Sequence, residues 1–257
     1  AKFTVNSDFR GNLKGKQLAC VRDLWYYMLY KDRFIQISGK EKSFMPISQN
    51  VGGKLGIYVH VPFCRSKCAY CDFYSFVPGD ETVCERYVNA LLSHMEYYKS
   101  AVAERLPDSV YIGGGTPTAL PEEQLLRIIR GVRRTFHLAK NAEFTVEVNP
   151  ATASYKTFAR MRRAGVNRIS IGLQSADAGE LKALSRIHSR ADFEQCYRDA
   201  RRAKIQNISV DLMFGIPLQT TESLLRSVDY VTRLRPEHVS LYNLKIEPGT
   251  PFYQNRR

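Results

Sequence analysis

The chain contains 257 residues, of which 44% are hydrophobic and 25% are charged, and its formal net charge at pH 7 is +13. This length and composition are typical of a globular protein with one large domain or two small ones. The longest apolar run near the start, residues 24–30, is far shorter than the ~20 residues of a membrane helix. We therefore expect no integral membrane span, and we expect no secretory signal because its tripartite pattern is missing.

The positive charge is spread along predicted helices, in basic runs such as residues 160–163 and 198–202. A basic surface attracts anions, among them nucleic acids, anionic lipids and polycarboxylates such as porphyrins. No sequence signature of DNA or RNA binding accompanies the charge. We interpret the basic residues as solvated helix faces and expect no nucleic-acid partner.

Residues 1–54 show no clear hydrophobic period and carry ten basic residues against four acidic ones. We interpret them as an N-terminal extension of unknown structure. Three alternatives stay open for it: a small appended element, a poorly ordered leader, or a segment foreign to the natural protein. Residues 55–257 are predicted to form the core domain.

From Leu55 onward, short apolar strands alternate with longer amphipathic helices, which is typical of repeated βα units and a parallel sheet. The predicted strands lie near residues 56–61, 109–113, 143–148, 167–173, 208–213 and 238–243. The predicted helices cover residues 82–99, 121–136, 152–164, 177–184, 191–204 and 221–233. Thr152 and Thr220 or Thr221 are the predicted caps of two of them. Six such units favour an α/β fold with a partial, TIM-like (β/α)6 barrel.

The alternation within the strands predicts what fills the barrel. Side chains on a strand point to opposite faces with a period of two, and the face covered by helices must be apolar. The polar face then lines the lumen, with Tyr58, His60, Glu147, Asn149, Arg168, Gln174 and Asp211 as its members. Burying polar groups without partners costs roughly 1–3 kcal/mol each. We therefore expect these groups to bind a polar ligand; the alternative is a buried network that satisfies itself.

Three of the six cysteines, Cys64, Cys68 and Cys71, follow the first core strand with the spacing C-x₃-C-x₂-C. Such a loop can bind three irons of a [4Fe–4S] cluster and leave the fourth iron open for a chelating cofactor. Zinc is the alternative metal, but no fourth ligand with a familiar zinc spacing is nearby. The isolated Cys20, Cys84 and Cys196 are interpreted as ordinary reduced thiols, which indicates a reducing compartment such as the cytoplasm.

This cysteine loop, after the lead-in Y-x-H-x-P-F, resembles the radical S-adenosylmethionine (SAM) superfamily. Within it, residues 55–253 resemble the oxygen-independent coproporphyrinogen III oxidase family and its HemW branch. The resemblance rests on further motifs that occur in family order: GGGTPT (113–118), EVNP (147–150), RISIGLQS (168–175), RIH (186–188), DLMFGIP (211–217) and EPGT (247–250).

The resemblance implies a set of cofactor-binding residues. Tyr58 is expected beside cluster-bound SAM and Tyr70 against its adenine, while Lys245 is expected near the rim. The backbone of Gly114, Gly115 and Thr116 is expected to receive the SAM amino group. The amino-acid and ribose parts are expected to contact Glu147, Gln174, Arg186 and Asp211. Each of these residues could instead have a purely structural role, such as forming a turn or capping a helix.

One position separates the two branches. The oxidases carry a further Cys two positions after the third ligand, whereas this chain has Phe73. The resemblance therefore implies a HemW-like haem chaperone with haem or a porphyrin(ogen) as ligand, a reductant such as flavodoxin or ferredoxin, and a haem acceptor. A coproporphyrinogen oxidase stays the first alternative, which leaves enzyme activity open, and a metal-stabilised nucleic-acid-binding module stays the second. His60 and His188 are expected to be structural or cofactor-adjacent rather than axial haem ligands, and a C-terminal region of the family is expected to be absent.

Overall fold

The structure, a computed structural model, describes residues 2–5, 27–30, 33–36 and 55–255. Its strands are β1 (Lys2–Val5), β2 (Tyr27–Tyr30), β3 (Arg33–Gln36), β4 (Leu55–Val61), β5 (Ser109–Gly114), β6 (Glu143–Val148), β7 (Arg168–Gln174), β8 (Asn207–Phe214) and β9 (His238–Asn243). Its α-helices are α1 (Glu81–Val102), α2 (Glu122–Thr135), α3 (Tyr155–Arg163), α4 (Ala178–Ala183), α5 (Arg190–Arg202), α6 (Thr221–Leu234) and α7 (Pro251–Gln254). Two 3₁₀-helices cover Pro117–Ala119 and Pro150–Thr152.

The strands form one sheet in the order β1-β9-β8-β7-β6-β5-β4-β2-β3. Strands β4 to β9 are parallel, and each lies beside its neighbour in sequence. Helices connect them, so the predicted α/β fold with six parallel strands and a partial TIM-like barrel is confirmed. Strand β1 adds to β9 in parallel, and the β2–β3 hairpin adds to β4 in antiparallel orientation. These three strands come from the N-terminal extension, whose other residues lie outside the described part of the chain.

Local sequence explains most of the element boundaries. Asp80 accepts hydrogen bonds from the N–H groups of Thr82 and Val83 and so begins α1. Thr220 begins α6 through a capping box, as predicted. The predicted cap Thr152 is wrong: Pro150–Thr152 forms a 3₁₀ turn, and α3 begins after Ser154 instead.

The two faces of the strands differ as the alternation predicts. On β4 the side chains of Ile57, Val59 and Val61 are buried against the helices, while Tyr58 and His60 are half-buried on the other face. The same apolar face continues around the sheet through Ile112, Val146, Ile169, Ile171 and Val210. The helices therefore cover a continuous apolar core, and the opposite face is left for polar groups.

One predicted lumen residue, Asn149, lies just past the end of its strand. The side-chain oxygen of Asn149 accepts from the N–H of Ala151 at 3.3 Å and caps the 3₁₀-helix that begins at Pro150. Strand β6 ends at Val148, so the two-residue alternation no longer applies at position 149.

Candidate metal centre and cofactor site

The cysteine loop follows β4 and is fixed to the sheet by backbone hydrogen bonds. Cys64 donates to the carbonyl of Phe76 at 3.0 Å, and Phe76 donates to that of Pro62 at 2.9 Å. From the neighbouring loop, Thr116 donates to the carbonyl of Phe63 at 2.7 Å. The ring of Phe63 is buried and packs edge-on against Phe76 and Tyr87. These contacts therefore fix both ends of the cysteine loop to the sheet.

The three thiols of this loop are unpaired and only partly exposed. Cys64 is buried and Cys68 and Cys71 are half-buried, and none forms a disulfide. The hydroxyl of Thr116 lies 3.7 Å from Sγ of Cys64, and Nη1 of Arg186 lies 3.5 Å from Sγ of Cys68. Burial raises the pKa of Cys71 to about 11. A metal that binds these sulfurs must therefore displace their protons.

The charge that Lys67 brings to this loop is held in place. Its Nζ donates to the carbonyls of Phe73 and Ser75, both at 3.3 Å. In the part of the chain that the structure describes, no three His, Cys, Asp or Glu side chains are arranged to hold a single metal ion. In a [4Fe–4S] cluster each thiolate binds a different iron, so the sulfurs need not converge on one point.

The glycine-rich loop after β5 leaves no room for side chains. A Cβ on Gly113 would lie 2.8 Å from Cδ of Glu147, and one on Gly114 would lie 2.6 Å from the ring of His60. Gly114 also has a φ of +109°, a conformation that favours glycine. A Cβ on Gly115 would lie 2.7 Å from the carbonyl oxygen of Phe63. The backbone of this loop therefore lies directly against the cysteine loop.

Glu147 is held from two sides. The hydroxyl of Tyr111 donates to its Oε1 at 2.8 Å, and the N–H of Gly114 donates to its Oε2 at 3.1 Å. Burial raises the pKa of Glu147 to about 7, and the nearby negative charge of Asp211 adds to the rise. The hydrogen bonds from Tyr111 and Gly114 oppose it. The carboxyl group is therefore poised between its neutral and charged forms near neutral pH.

Asp211 is the second lumen carboxylate. The hydroxyl of Ser170 donates to both of its oxygens, at 3.0 and 3.1 Å. Burial raises the pKa of Asp211 to about 6, and hydrogen bonds from Ser170 and Ser240 oppose the rise. The positive charges of Arg168 and Arg186 oppose it further. Among the described residues, neither this carboxylate nor Glu147 forms an ion pair within 4 Å.

Gln174 and Arg186 meet over the end of β7. Gln174 has a φ of +69° at an irregularity in the β7–β8 pairing. A Cβ on Gly172 would lie 2.7 Å from Nε2 of Gln174 and 3.3 Å from Nη2 of Arg186. Nη2 donates to the carbonyl of Gly172 at 3.0 Å, while the buried Nε has no hydrogen-bond partner. Arg186 therefore retains one unused donor beside the cysteine loop.

His188 follows Arg186 and is buried. Its Nε2 lies 3.2 Å from the carbonyl oxygen of Leu173, to which it donates a hydrogen bond. Burial, together with the positive charge of Arg186, lowers the pKa of His188 to about 4. The imidazole is therefore neutral at pH 7 and is anchored to the end of β7.

The aromatic residues of the predicted site lie around these groups. The ring of Tyr70 is near Arg186 and Cys68, and burial raises the pKa of its hydroxyl. Tyr58 is in hydrogen-bond contact with Nδ1 of His60 at 3.1 Å. Lys245 is exposed and follows the end of β9 at the same edge of the sheet. The predicted residues therefore lie within the parallel strands, as Tyr58, Glu147 and Asp211 do, or in the segments that follow them.

The sequence prediction omitted three side chains that hold the lumen carboxylates. Tyr111 donates to Glu147 and Ser170 donates to Asp211, while Ser240 lies opposite Asp211 in the β8–β9 pairing and favours its charged form. All three lie on the lumen side of their strands, so the two-residue alternation could have found them. Their partners depend on how neighbouring strands are aligned, with Tyr111 opposite Thr145 and Ser170 opposite Ser209.

The residues present fit a [4Fe–4S] cluster and SAM. Three unpaired thiols occupy one short, rigid loop, and an unused Arg186 donor lies beside it. The glycine-rich loop brings bare backbone to the same place, and the two lumen carboxyls offer acceptors for a cationic ligand. This donor set matches a cluster whose fourth iron is open to a zwitterionic cofactor.

Comparison with known proteins also indicates a radical SAM protein. The model of the radical SAM superfamily matches residues 58–231. The heme chaperones HemW of Escherichia coli strain K12 and Bacillus subtilis strain 168 are 38% and 39% identical, over 77% and 76% of this chain and 52% of their own lengths. The mitochondrial radical S-adenosyl methionine domain-containing protein 1 of Bos taurus is 37% identical over 84% of this chain and 48% of its own length. The chain thus spans about half the length of the curated relatives it matches.

Solved structures support the same fold. Coproporphyrinogen III oxidase (HemN) from Escherichia coli, described as a radical SAM enzyme, superposes with a TM-score of 0.71 and 28% identity over 77% of this chain and 46% of its own. Methylornithine synthase (PylB), at 13% identity and a TM-score of 0.59 over 77% of this chain and 55% of its own, shares the fold. The family implies a [4Fe–4S] cluster and SAM as cofactors. The chain belongs to the radical SAM superfamily.

Proposed function

We propose that this chain is the cofactor-binding core of a HemW-type haem chaperone. The observation that carries the proposal is its similarity to relatives named heme chaperone HemW, which are 33–39% identical across the core. Phe73 supports it, because it replaces the additional Cys of the oxidase branch. Family membership favours this function, and the oxidase alternative, over a nucleic-acid-binding module.

In this proposal Cys64, Cys68 and Cys71 hold the cluster through three thiolates. When bound and reduced, the cluster supplies an electron for reductive cleavage of SAM. The protein positions the cluster and SAM relative to each other. The glycine-rich backbone from Gly114 to Thr116 receives the amino group of SAM.

The remaining predicted residues also contact SAM. Glu147 and Asp211 accept hydrogen bonds from it, and Gln174 and Arg186 bind its amino-acid and ribose parts. The unused Nε of Arg186 is suited to a carboxylate. Tyr58 and Tyr70 flank the bound cofactor, and Lys245 lies at the rim.

The exposed apolar side chains of the chain are consistent with binding of a flat apolar ligand such as haem. Exposed apolar side chains occur in the segments that follow β4, α4, β8 and β9, namely Phe73, Tyr74, Phe76, Val77, Ile187, Leu218 and Ile246, and Tyr242 is exposed near the end of β9. An exposed apolar surface of this kind marks a binding site more often than a solvated face. Lys245, at the same edge, supplies a cation for a propionate carboxylate.

The oxidase stays the second candidate because the structure of HemN superposes on this chain with a TM-score of 0.71 and 28% identity. It requires turnover of coproporphyrinogen III, whereas a chaperone requires binding and release of haem. Haem titration of the reconstituted protein, followed by a coproporphyrinogen assay with SAM and a reductant, separates the two. Stoichiometric haem binding without product supports the chaperone. Product formation supports the oxidase.

Anaerobic reconstitution with iron and sulfide tests the cofactors. We expect about four irons per chain, broad absorbance near 400 nm and a shift of the reduced-cluster EPR spectrum when SAM is added. Cys64→Ala should lose the cluster. Cys196→Ala, which removes an equally buried thiol on α5, is the matched control and should retain it. A Cys64→Ala protein with the iron content of the wild type would contradict the proposal.

The partners and the location are part of the same proposal. A reductant such as flavodoxin or ferredoxin supplies the electron, and an apoprotein accepts the haem. We place the protein in the cytoplasm because its cysteines are suited to a reducing compartment. Among the described residues, no helix combines the length and the apolar character needed to cross a membrane.

A further inference from the structure

A chain of contacts runs from the cysteine loop to the glycine-rich loop through Tyr111. Nε2 of His60 lies 2.9 Å from the carbonyl oxygen of Tyr74, and Nδ1 of the same ring is 3.1 Å from the hydroxyl of Tyr58. The ring of Tyr58 stacks on that of Tyr111, with 6.2 Å between centroids and 27° between planes. The Tyr111 hydroxyl then donates to Oε1 of Glu147 at 2.8 Å.

We infer that Tyr111 is a positioning residue of the cofactor site: its hydroxyl orients Glu147 and holds it as an acceptor for a cationic group. The inference rests on the proposed function in one respect, because the cation it would receive is the amino group of SAM. Tyr111 belongs to none of the family motifs in this sequence. Its role follows from what its hydroxyl and ring contact.

The packing around the pair leaves Glu147 little freedom. A Cβ on Gly113 would lie 2.8 Å both from Cε1 of Tyr111 and from Cδ of Glu147. Ring and carboxyl therefore pack against the backbone of β5, which blocks movement of the carboxyl in that direction. Oε2 is held in addition by the N–H of Gly114. Tyr111 and Gly114 together fix both oxygens.

The charges that face Glu147 come from several strands. The nearest is Asp211 on β8, which disfavours a second negative charge. Tyr242 on β9 faces both carboxyls, and Arg168 and Arg186 act on Asp211. Within this setting the Tyr111 hydrogen bond favours the charged form of Glu147. Burial keeps the pKa of Tyr111 well above its ordinary value, so the hydroxyl remains a donor at neutral pH.

Tyr111→Phe tests this role because it removes the hydroxyl and keeps the ring that stacks on Tyr58. In cofactor-free protein labelled with ¹³C at the Glu carboxyl, the Glu147 resonance, assigned through its loss in Glu147→Gln, should titrate at higher pH in Tyr111→Phe than in the wild type. In reconstituted protein at pH 7, the Kd for SAM measured by calorimetry should rise about tenfold, the size expected for losing a hydrogen bond to a charged group.

Tyr197→Phe is the matched control. Like Tyr111, Tyr197 packs on an aromatic ring and donates its hydroxyl to an oxygen, the carbonyl of Leu234 at 3.0 Å, but it lies on α5. This variant should leave both the Glu147 titration and the Kd for SAM unchanged. If Tyr111→Phe also leaves both at the wild-type values, or if Tyr197→Phe moves them equally, the inference is overturned.

A double variant separates positioning from general damage to the fold. In a Glu147→Gln background, Tyr111→Phe should change the Kd for SAM less than twofold, because the group it positions is gone. An undiminished tenfold effect there would contradict the inference. A wild-type protein that fails to bind SAM would refute the proposed function, whereas the Glu147 titration would still decide the role of Tyr111.

Discussion

The outer and lumen faces of the six parallel strands belong to the same segments but differ in chemistry: the outer face is apolar and the lumen face is polar. On the outer face, side chains such as Val146 and Ile169 are fully buried against helices. On the lumen face of the same strands, Glu147 and Ser170 take part in hydrogen bonds around two carboxyls with raised pKa values. The outer face supplies stability, whereas burying the carboxyls of the lumen face has an energetic cost.

The largest effect expected from this comparison is on the outer face. Phe144→Ala removes a buried ring from β6 and should lower the free energy of unfolding by about 3–5 kcal/mol. Urea denaturation followed by circular dichroism measures it. Glu147→Gln, three residues along the same strand on the other face, should lower it by less than half as much. Equal losses from the two variants would remove the distinction between the faces.

The second effect concerns the contact between the two loops. Gly115→Ala places a Cβ 2.7 Å from a backbone carbonyl that has little room to move. We expect a loss of about 1–3 kcal/mol in stability and a reconstituted iron content well below that of the wild type. Gly79→Ala is the matched control, because a Cβ there meets nothing within 4 Å. Full iron content in Gly115→Ala would show that the loop contact is not required.

The third effect is a pH dependence of the lumen face. The pKa of Glu147 is about 7 in the folded protein against an ordinary value of 4.5. The folded state therefore binds this proton more tightly, and its contribution to stability is lost as pH rises from about 4.5 to 7. Because Glu147→Gln lacks this titrating proton, its stability relative to that of the wild type should rise by roughly 2–3 kcal/mol from pH 5 to pH 8. Urea titrations at the two pH values measure the gain.

The exposed Glu85 on α1 provides the control for this pH dependence. Glu85→Gln should follow the wild-type profile within error. A constant difference between Glu147→Gln and the wild type across this range would show that Glu147 does not titrate there.

The sequence predicted the two faces because alternation along a strand is local. It therefore identified Tyr58, Glu147 and Asp211 as lumen residues, whereas the alternation does not apply to Asn149, which lies just past the end of its strand and caps a 3₁₀-helix. The fold class followed from the repeated βα pattern. The roles assigned to the individual cofactor-binding residues stay predictions that the experiments above test.

Local sequence patterns could not predict the contacts between strands. Tyr111 reaches Glu147 because of the alignment of β5 with β6, which no single segment encodes. The irregularity that gives Gln174 a positive φ depends on the pairing of β7 with β8. Likewise, the strands of the N-terminal extension acquire their structure by pairing with β4 and β9.

The smallest effect expected is at the second carboxylate. Ser170→Ala removes a donor to both oxygens of Asp211 and should raise the pKa of this carboxyl, because the lost hydrogen bond favours the charged form. The loss of stability should be about 1 kcal/mol at pH 8 and smaller at pH 5, where Asp211 is mostly protonated. Ser227→Ala, at an equally buried serine that accepts from the N–H of Ala176, should show the same loss at both pH values. Parallel profiles for the two variants would mean that Ser170 supports the fold without tuning the pKa of Asp211.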